Sequence, residues 1–471
     1  MHPMNLLVVL SALVLSAQPA WAEPQPPDLA DSMDQASVDL LQAYVRLNTV
    51  NPPGNEIEAA RFIASLLDEA GITYEMAESA PGRANIWAKI EGGDEPGLVL
   101  LHHMDVVPAN EEFWTVDPLG GEIRDGYLYG RGVIDDKASG IAHLLTFLEI
   151  HRRNQPLNRD LIFMATADEE AGGLFGAGWL IQNRPEVFEG VGLVINEGGI
   201  GASSTRQGVE RLLFNVEVTQ KVPLWLKLVA TDVPGHGSMP RASSAVTRLV
   251  RALSNIQNNA FAPAIGPAVD NYFKAIAGDY DEPLKSILAD IRESSANEAN
   301  LRTLQDANPL LHALTRNTCS ITMLEGSNKI NVVPPVASAQ LDCRLIPEQD
   351  PEEFLQQLVA LIDDDAISIE KIMGFSPAVS STDTQLFRVI ESMTAEYFPD
   401  ARVVPSVASG FTDSHFFRDM DILAYGYHPI VVPVEDFSRI HGNDERLSLD
   451  NIRLGTRMIM NVVAEMVYGT E

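Results

Sequence analysis

Five short stretches of this chain carry carboxylates and imidazoles where a strand ends or a turn opens a helix. They are His103-Met-Asp105, Tyr129-Gly-Arg-Gly-Val-Ile-Asp135-Asp136-Lys137, Asp168-Glu169-Glu170, Asn196-Glu197-Gly-Gly and Ile440-His441-Gly-Asn-Asp-Glu445. Divalent metals of borderline softness need such oxygen and nitrogen ligands brought to one point from several loops. In an extended chain His103 and Asp105 share a face, so Asp105 is spaced to orient the imidazole through its second ring nitrogen. Taken alone, the same motif reads as a histidine capping a loop, and Asp135-Asp136 reads equally as a helix cap. Asp168-Glu169-Glu170 is different. Three consecutive carboxylates after the apolar run Leu-Ile-Phe-Met-Ala-Thr repel one another unless a cation lies among them, and open α/β sheets place ligands at that end.

The intervening sequence supplies elements to position these loops. Asp31 to Asn48 reads as a helix stopped by Asn51-Pro-Pro-Gly54. A second helix follows, capped by Asn55, with Ala59, Phe62, Ile63 and Leu66 on one face. Apolar runs at Ala84–Ile90, Gly97–His103, Asp160–Thr166 and Val191–Ile195 read as strands, and the helical pattern at Ala138–Arg153 falls between them. Strands alternating with helices predict an α/β layer sandwich. From Pro223 the order becomes β-α-β-β-α-β, ending near Met373, which predicts a separate ferredoxin-like domain. It carries a polar, helical insertion from about 258 to 314. The α/β character then returns, so residues 222–378 are expected as a domain inserted between 23–221 and 379–471.

The ordered set HMDVVP, YGRGVIDDK, ADEEAGG, NEGG, PGHGSMP, NVVP and IHGNDE resembles the M20 metallopeptidase family, which includes aminoacylases, carnosine dipeptidases and carboxypeptidases. The resemblance runs from about residue 33 to the end. It implies a three-layer α/β/α di-zinc exopeptidase-like catalytic domain with an inserted lid. It also implies two Zn2+ per chain, with Co2+ or Mn2+ as alternatives. Carried over motif by motif, His103 and Glu197 would bind one metal and Glu170 and His441 the other. Asp135 would bridge them, Asp105 would orient His103, and Glu169 would be the general base. Two cations about 3.5 Å apart would neutralise these carboxylates, acidify a water and polarise a scissile carbonyl. In the lid, His236 resembles the residue that stabilises the oxyanion, often across a dimer interface. Asn331, Arg344 and Gly410 resemble substrate binders, Arg344 being suited to pair a carboxylate bidentately. The implied activity is cleavage of an amide, peptide or N-acyl, beside a free carboxylate. A non-catalytic peptide-binding protein on the same fold is the alternative, although such a binder has no use for Glu169.

Some residues depart from that pattern. His102 faces away from His103. His415 lies where relatives more often have Arg, and a pocket-lining role is preferred over a ligand role. Trp114 and Trp179 read as core. Composition narrows the partners. With 33 Lys+Arg against 65 Asp+Glu the net charge is −32, which disfavours nucleic acid and anionic lipid. Leu6 to Ala17 is an apolar run followed by Ala20-Trp-Ala22, the form of a secretory leader cleaved near Glu23. A secreted or periplasmic protein without a membrane anchor is expected, because that run is shorter than the roughly 20 residues that span a bilayer. In an oxidising compartment Cys319 and Cys343, on strands able to run antiparallel, either pair or remain buried thiols.

Overall fold

A computed structural model describes residues 29–206 and 209–469; the leader falls outside them. A large mixed sheet forms the floor of the molecule, in the spatial order Tyr74–Ala80, Arg83–Ile90, Arg159–Thr166, Glu95–His103, Val191–Asn196, Leu423–Gly426, Val209–Gln220, Gly201–Arg206 and Val431–Pro433. The strand Arg402–Ala408 pairs with Val209–Gln220 off this path. The centre of the sheet is parallel: Glu95–His103 lies between Arg159–Thr166 and Val191–Asn196 with both partners running its way.

From Leu98 to Leu101 that central strand is continuously apolar because it is covered on both faces. Leu98 and Leu100 enter a core shared with the helices Leu29–Val45, Glu56–Glu69, Lys137–Arg153 and Leu449–Tyr468. Val99 and Leu101 enter a second core on the opposite face, with Leu180 of the helix Ala177–Asn183 and Phe417 of Ser414–Arg418. Near-continuous hydrophobicity is what a doubly covered parallel strand requires. The result is the α/β/α layering expected from the sequence.

A second, four-stranded antiparallel sheet has the order Thr318–Glu325, Val336–Leu345, Val222–Thr231, Ile367–Gly374. The helices Ala245–Asn258 and Pro351–Ile362 cover one face and close a core around Leu226, Leu249, Leu341 and Leu358. This is ferredoxin-like order. Ser244 and Thr247 form a capping box at the first of these helices. Asn55, by contrast, makes no side-chain cap at Glu56–Glu69, contrary to expectation. Its amide turns back to the carbonyl of Asn48 instead. Cys319 and Cys343 sit directly opposite in register and are joined by a disulfide.

The insertion is helical; Phe261 at its start joins the small-sheet core against Phe354, but the helices that follow pack elsewhere. Val269, Phe273, Leu288 and Leu304 pack on Val404 and Val407 of Arg402–Ala408, so these helices cover the large sheet. Asp279 adds ion pairs to Arg211 and Arg402. At the end of the insertion the buried Lys221 ammonium donates to the carbonyls of Ala313 at 2.7 Å and Arg316 at 2.8 Å. No helix of the described residues is long and apolar enough to cross a membrane.

Candidate metal centre

Parallel strands of the large sheet end side by side, and their C-terminal ends deliver His103, the Asp168–Glu170 turn and Glu197 to one spot. Asp135 comes from the turn before Lys137–Arg153 and His441 from the loop before the last helix. Asp135 is central. Its Oδ1 lies 3.0 Å from His103 Nε2, and its Oδ2 lies 3.0 Å from His441 Nε2. Glu197 Oε2 is 3.4 Å from His103 Nε2, and Glu170 Oε1 is 3.3 Å from His441 Nε2. Two groups with metal-ligating geometry result, His103–Asp135–Glu197 and Asp135–Glu170–His441, which share Asp135.

Several features fit this set to a pair of cations. Glu169 Oε1 and Glu197 Oε1 are buried without a hydrogen-bond partner, which is costly for a carboxylate unless a positive charge is near. Burial, reinforced by the charge of Asp135, pushes the Glu170 carboxyl up to about 7. Burial also raises Glu169, with Glu197 adding repulsion. Asp135 moves the other way: burial opposes ionisation, but hydrogen bonds from His103 and His441 hold its carboxyl below the usual range. Hydrogen bonding to Asp135 and Glu170 raises His441 to about 10.

Asp105 has a broader task than spacing suggested. His103 Nδ1 makes its 3.0 Å hydrogen bond to the backbone carbonyl of Asp105, and the carboxylate Oδ1 is 3.5 Å away. The carboxylate instead accepts from the backbone N–H of Glu169 and of Glu170 and from Asn51 Nδ2 at 2.8 Å. It therefore ties the His103 strand end to the turn carrying Glu169 and Glu170. Asp168 separates from its two neighbours. It sits at φ 71 and pairs with Arg83 at 2.8 Å, and Arg83 also pairs with buried Glu56. Gly172 and Gly173, at φ 108 and 69, complete the turn where a Cβ is disfavoured. A side chain on Gly173 would also meet Asp413, which is buried and accepts from Thr166 Oγ1 at 3.0 Å. Asn51, Arg83 and Asp413 were missed at sequence level, because each reaches the centre from far along the chain, and Glu445 stood in the IHGNDE motif without a role.

His236, Asn331, Arg344 and Gly410 belong to neither ligand group. Gly235-His236 pairs with Val332-Val333, and Gly237 N–H donates to the carbonyl of Asn331 at 2.9 Å, so His236 and Asn331 share one exposed tip. His236 Nδ1 is 2.7 Å from the Ser238 hydroxyl. Arg344 is half-buried, pairs with Asp342 and lies over the Phe411 ring next to exposed Gly410. His415 is buried, stacks on Phe375 and belongs to neither metal-ligating group. His102 meets the Tyr44 hydroxyl at 3.1 Å on the face away from the centre. Trp114 is buried beside Arg131, and Trp179 packs in the second core.

Residues 99–465 match the family described as peptidase family M20/M25/M40, and the chain belongs to it. It is a peptidase or amidohydrolase. It is 29% identical over 449 residues to an N-fatty-acyl-amino acid synthase/hydrolase PM20D1 of Xenopus tropicalis, covering 93% of this chain and 87% of that one. A probable carboxypeptidase S-like 2 of Dictyostelium discoideum is 30% identical over 375 residues, covering 78% and 71% of the two chains. Among solved structures, the M20 metallo-carboxypeptidase Sso-CP2 of Sulfolobus solfataricus has the same fold, with a TM-score of 0.67, 18% identity and coverage of 91% and 98%.

Proposed function

We propose that this chain is an exported hydrolase that uses two zinc ions to cleave an amide bond, peptide or N-acyl, beside a free carboxylate. The observation that carries the reading is the pair of ligand groups sharing Asp135. His103 and Glu197 would hold one ion, Glu170 and His441 the other, and Asp135 both. When bound, such ions supply Lewis acidity, polarising a carbonyl and lowering the pKa of a water.

The chain's own residues supply the remainder. Glu169 belongs to neither ligand group, and its buried carboxylate keeps an unpartnered oxygen. It takes a proton from the attacking water and passes it to the departing amine. Asp105, through the Glu169 N–H, keeps that carboxylate in place. His236 donates to the developing oxyanion, supplied by a lid that closes or by the lid of a second copy. Asn331, Arg344 and the open loop at Gly410 hold the substrate, Arg344 pairing its carboxylate. The names of the PM20D1 and carboxypeptidase S-like relatives support N-acyl amino acids and peptides as the substrate classes to test.

The test is elemental analysis of the purified protein together with hydrolysis of a panel of dipeptides and N-acyl amino acids, with and without chelator. About two zincs per chain and chelator-sensitive release of free amino acid are expected. A metal-free protein would overturn the reading, and a metal-loaded one without turnover would favour a binding protein.

A further inference from the structure

The loop bearing His441 also carries Glu445, and no role follows for Glu445 from the ligand set. Its side chain is fully buried. One carboxylate oxygen accepts from Arg131 Nη1 at 2.6 Å and Gly132 N at 3.0 Å. The other accepts from Ile134 N at 2.8 Å and Asp135 N at 3.3 Å. The turn 131–135 is thus wrapped around one carboxylate, three of the four donors being its backbone N–H groups. Two further bonds close the same joint: Gly130 N–H to the Glu445 carbonyl at 3.0 Å, and Arg131 Nη2 to the Gly442 carbonyl at 2.6 Å. Asp135 is the residue that both ligand groups share, and it hangs from the end of this wrapped turn.

We infer that Glu445, with Arg131, is a positioning residue that sets the bridging carboxylate Asp135 against both metal positions at once. This rests on the two-metal reading above. Glu445 touches no ligand side chain, so it acts through the backbone of the turn. A defect there moves Asp135 relative to His103 as well as relative to His441. Loss of Glu445 therefore weakens both ions, whereas loss of a terminal ligand weakens one. The isosteric Glu445→Gln change is severe for its size, because a Gln amide group has to face a backbone N–H or the Arg131 guanidinium with a donor of its own.

The experiment is Zn2+ titration of the metal-free protein against a competing chelator, below the melting temperature of every variant. Wild type, Glu445→Gln and Arg131→Lys are compared, each also in a His441→Ala background that leaves the His103 side to be read alone. Replacing groups that orient ligands typically costs 10- to 100-fold in metal affinity. A loss of roughly that size is expected at both positions for Glu445→Gln, with a smaller loss for Arg131→Lys. The loss at the His103-side ion should persist in the His441→Ala background. Wild-type affinity at that ion, whether or not the melting temperature falls, would overturn the inference, since a purely structural role or one confined to the His441 loop predicts that result. If Glu445→Gln does not fold, Arg131→Lys in the same background decides. A wild type that fails to bind two zincs overturns the two-metal reading itself and is distinguishable from either outcome.

Discussion

Replacing Glu169 with Gln separates the work of a base from the work of a ligand. The side chain is 5% exposed, its Oε1 has no hydrogen-bond partner, and it belongs to neither ligand group. Its backbone is held by Asp105 whatever the side chain, so Gln should occupy the same space. General base catalysis contributes about 10²- to 10⁴-fold. Removing it should lower kcat by about 10³-fold, equivalent to about 4 kcal/mol at 1.36 kcal/mol per decade. Metal content should stay at the wild-type value. A second readout follows from burial and Glu197, which raise the Glu169 carboxyl above its unfolded value. That group's contribution to metal-free stability is complete below the unfolded pKa of about 4.5 and is lost as pH rises toward the folded value. The metal-free Gln variant should therefore lose less stability than wild type between pH 4.5 and neutrality. The assays are steady-state hydrolysis of the best panel substrate, elemental analysis and thermal melts across pH. Unchanged turnover would remove Glu169 from the chemistry, and loss of an ion would make it a ligand.

Asp135→Asn should weaken both ions, whereas His103→Ala and His441→Ala should each remove one by elemental analysis; equal losses in all three would contradict a shared bridge. His441 is raised to about 10 by hydrogen bonds to Asp135 and Glu170, so its imidazole carries a proton at neutral pH when metal is absent, and His103 is shifted in the same direction despite its burial. Metal uptake should expel about one proton per ion and weaken as pH falls, which calorimetry in buffers of different ionisation enthalpy reads directly; pH-independent binding would refute this. His236→Ala should lower kcat with metal content unchanged, as checked by kinetics and elemental analysis on the same sample. Cys343→Ser removes a cross-link with a sequence separation of 24 and should cost about 3 kcal/mol in denaturant melts of the small sheet, with the ligand cluster untouched.

What the sequence made legible follows from locality. A doubly covered strand announces itself as a continuous apolar run, and the polar residues at its end are the ones the sheet presents to a ligand, so His103, Glu169, Glu170 and Glu197 could be named together. Their convergence with Asp135 and His441 followed from the ordered motifs. Residues that act through distant partners left no such trace. Glu445 meets a turn more than 300 residues earlier, and Arg83 reaches Asp168 across 85. The strand Arg402–Ala408 contains Pro405 and alternates poorly, so the side of the sheet where the insertion docks was not foreseen. Asp168 stood in a row of carboxylates that looked uniform, and only the fold separated the structural member from the other two. Likewise the spacing of Asp105 anticipated a carboxylate beside the imidazole, which lies 3.5 Å away, but not that the Asp105 carbonyl would make the shorter bond of 3.0 Å.

The helices of the insertion give the small sheet a third attachment to the large one, besides the chain crossings near residues 221 and 375. A plate held at two points can swing, but a plate held at three can tilt only by carrying its third support along. Here that support grips Arg402–Ala408 through Val404, Val407 and the Asp279 ion pairs, and the same strand runs straight on to Gly410 and the buried turn of Asp413. The support of the small sheet is thus continuous along the chain with the wall of the metal centre. Sequence changes on the outer helices, remote from any ligand, therefore bear on a strand that leads directly to Asp413, beside Gly173 in the turn that carries Glu169 and Glu170.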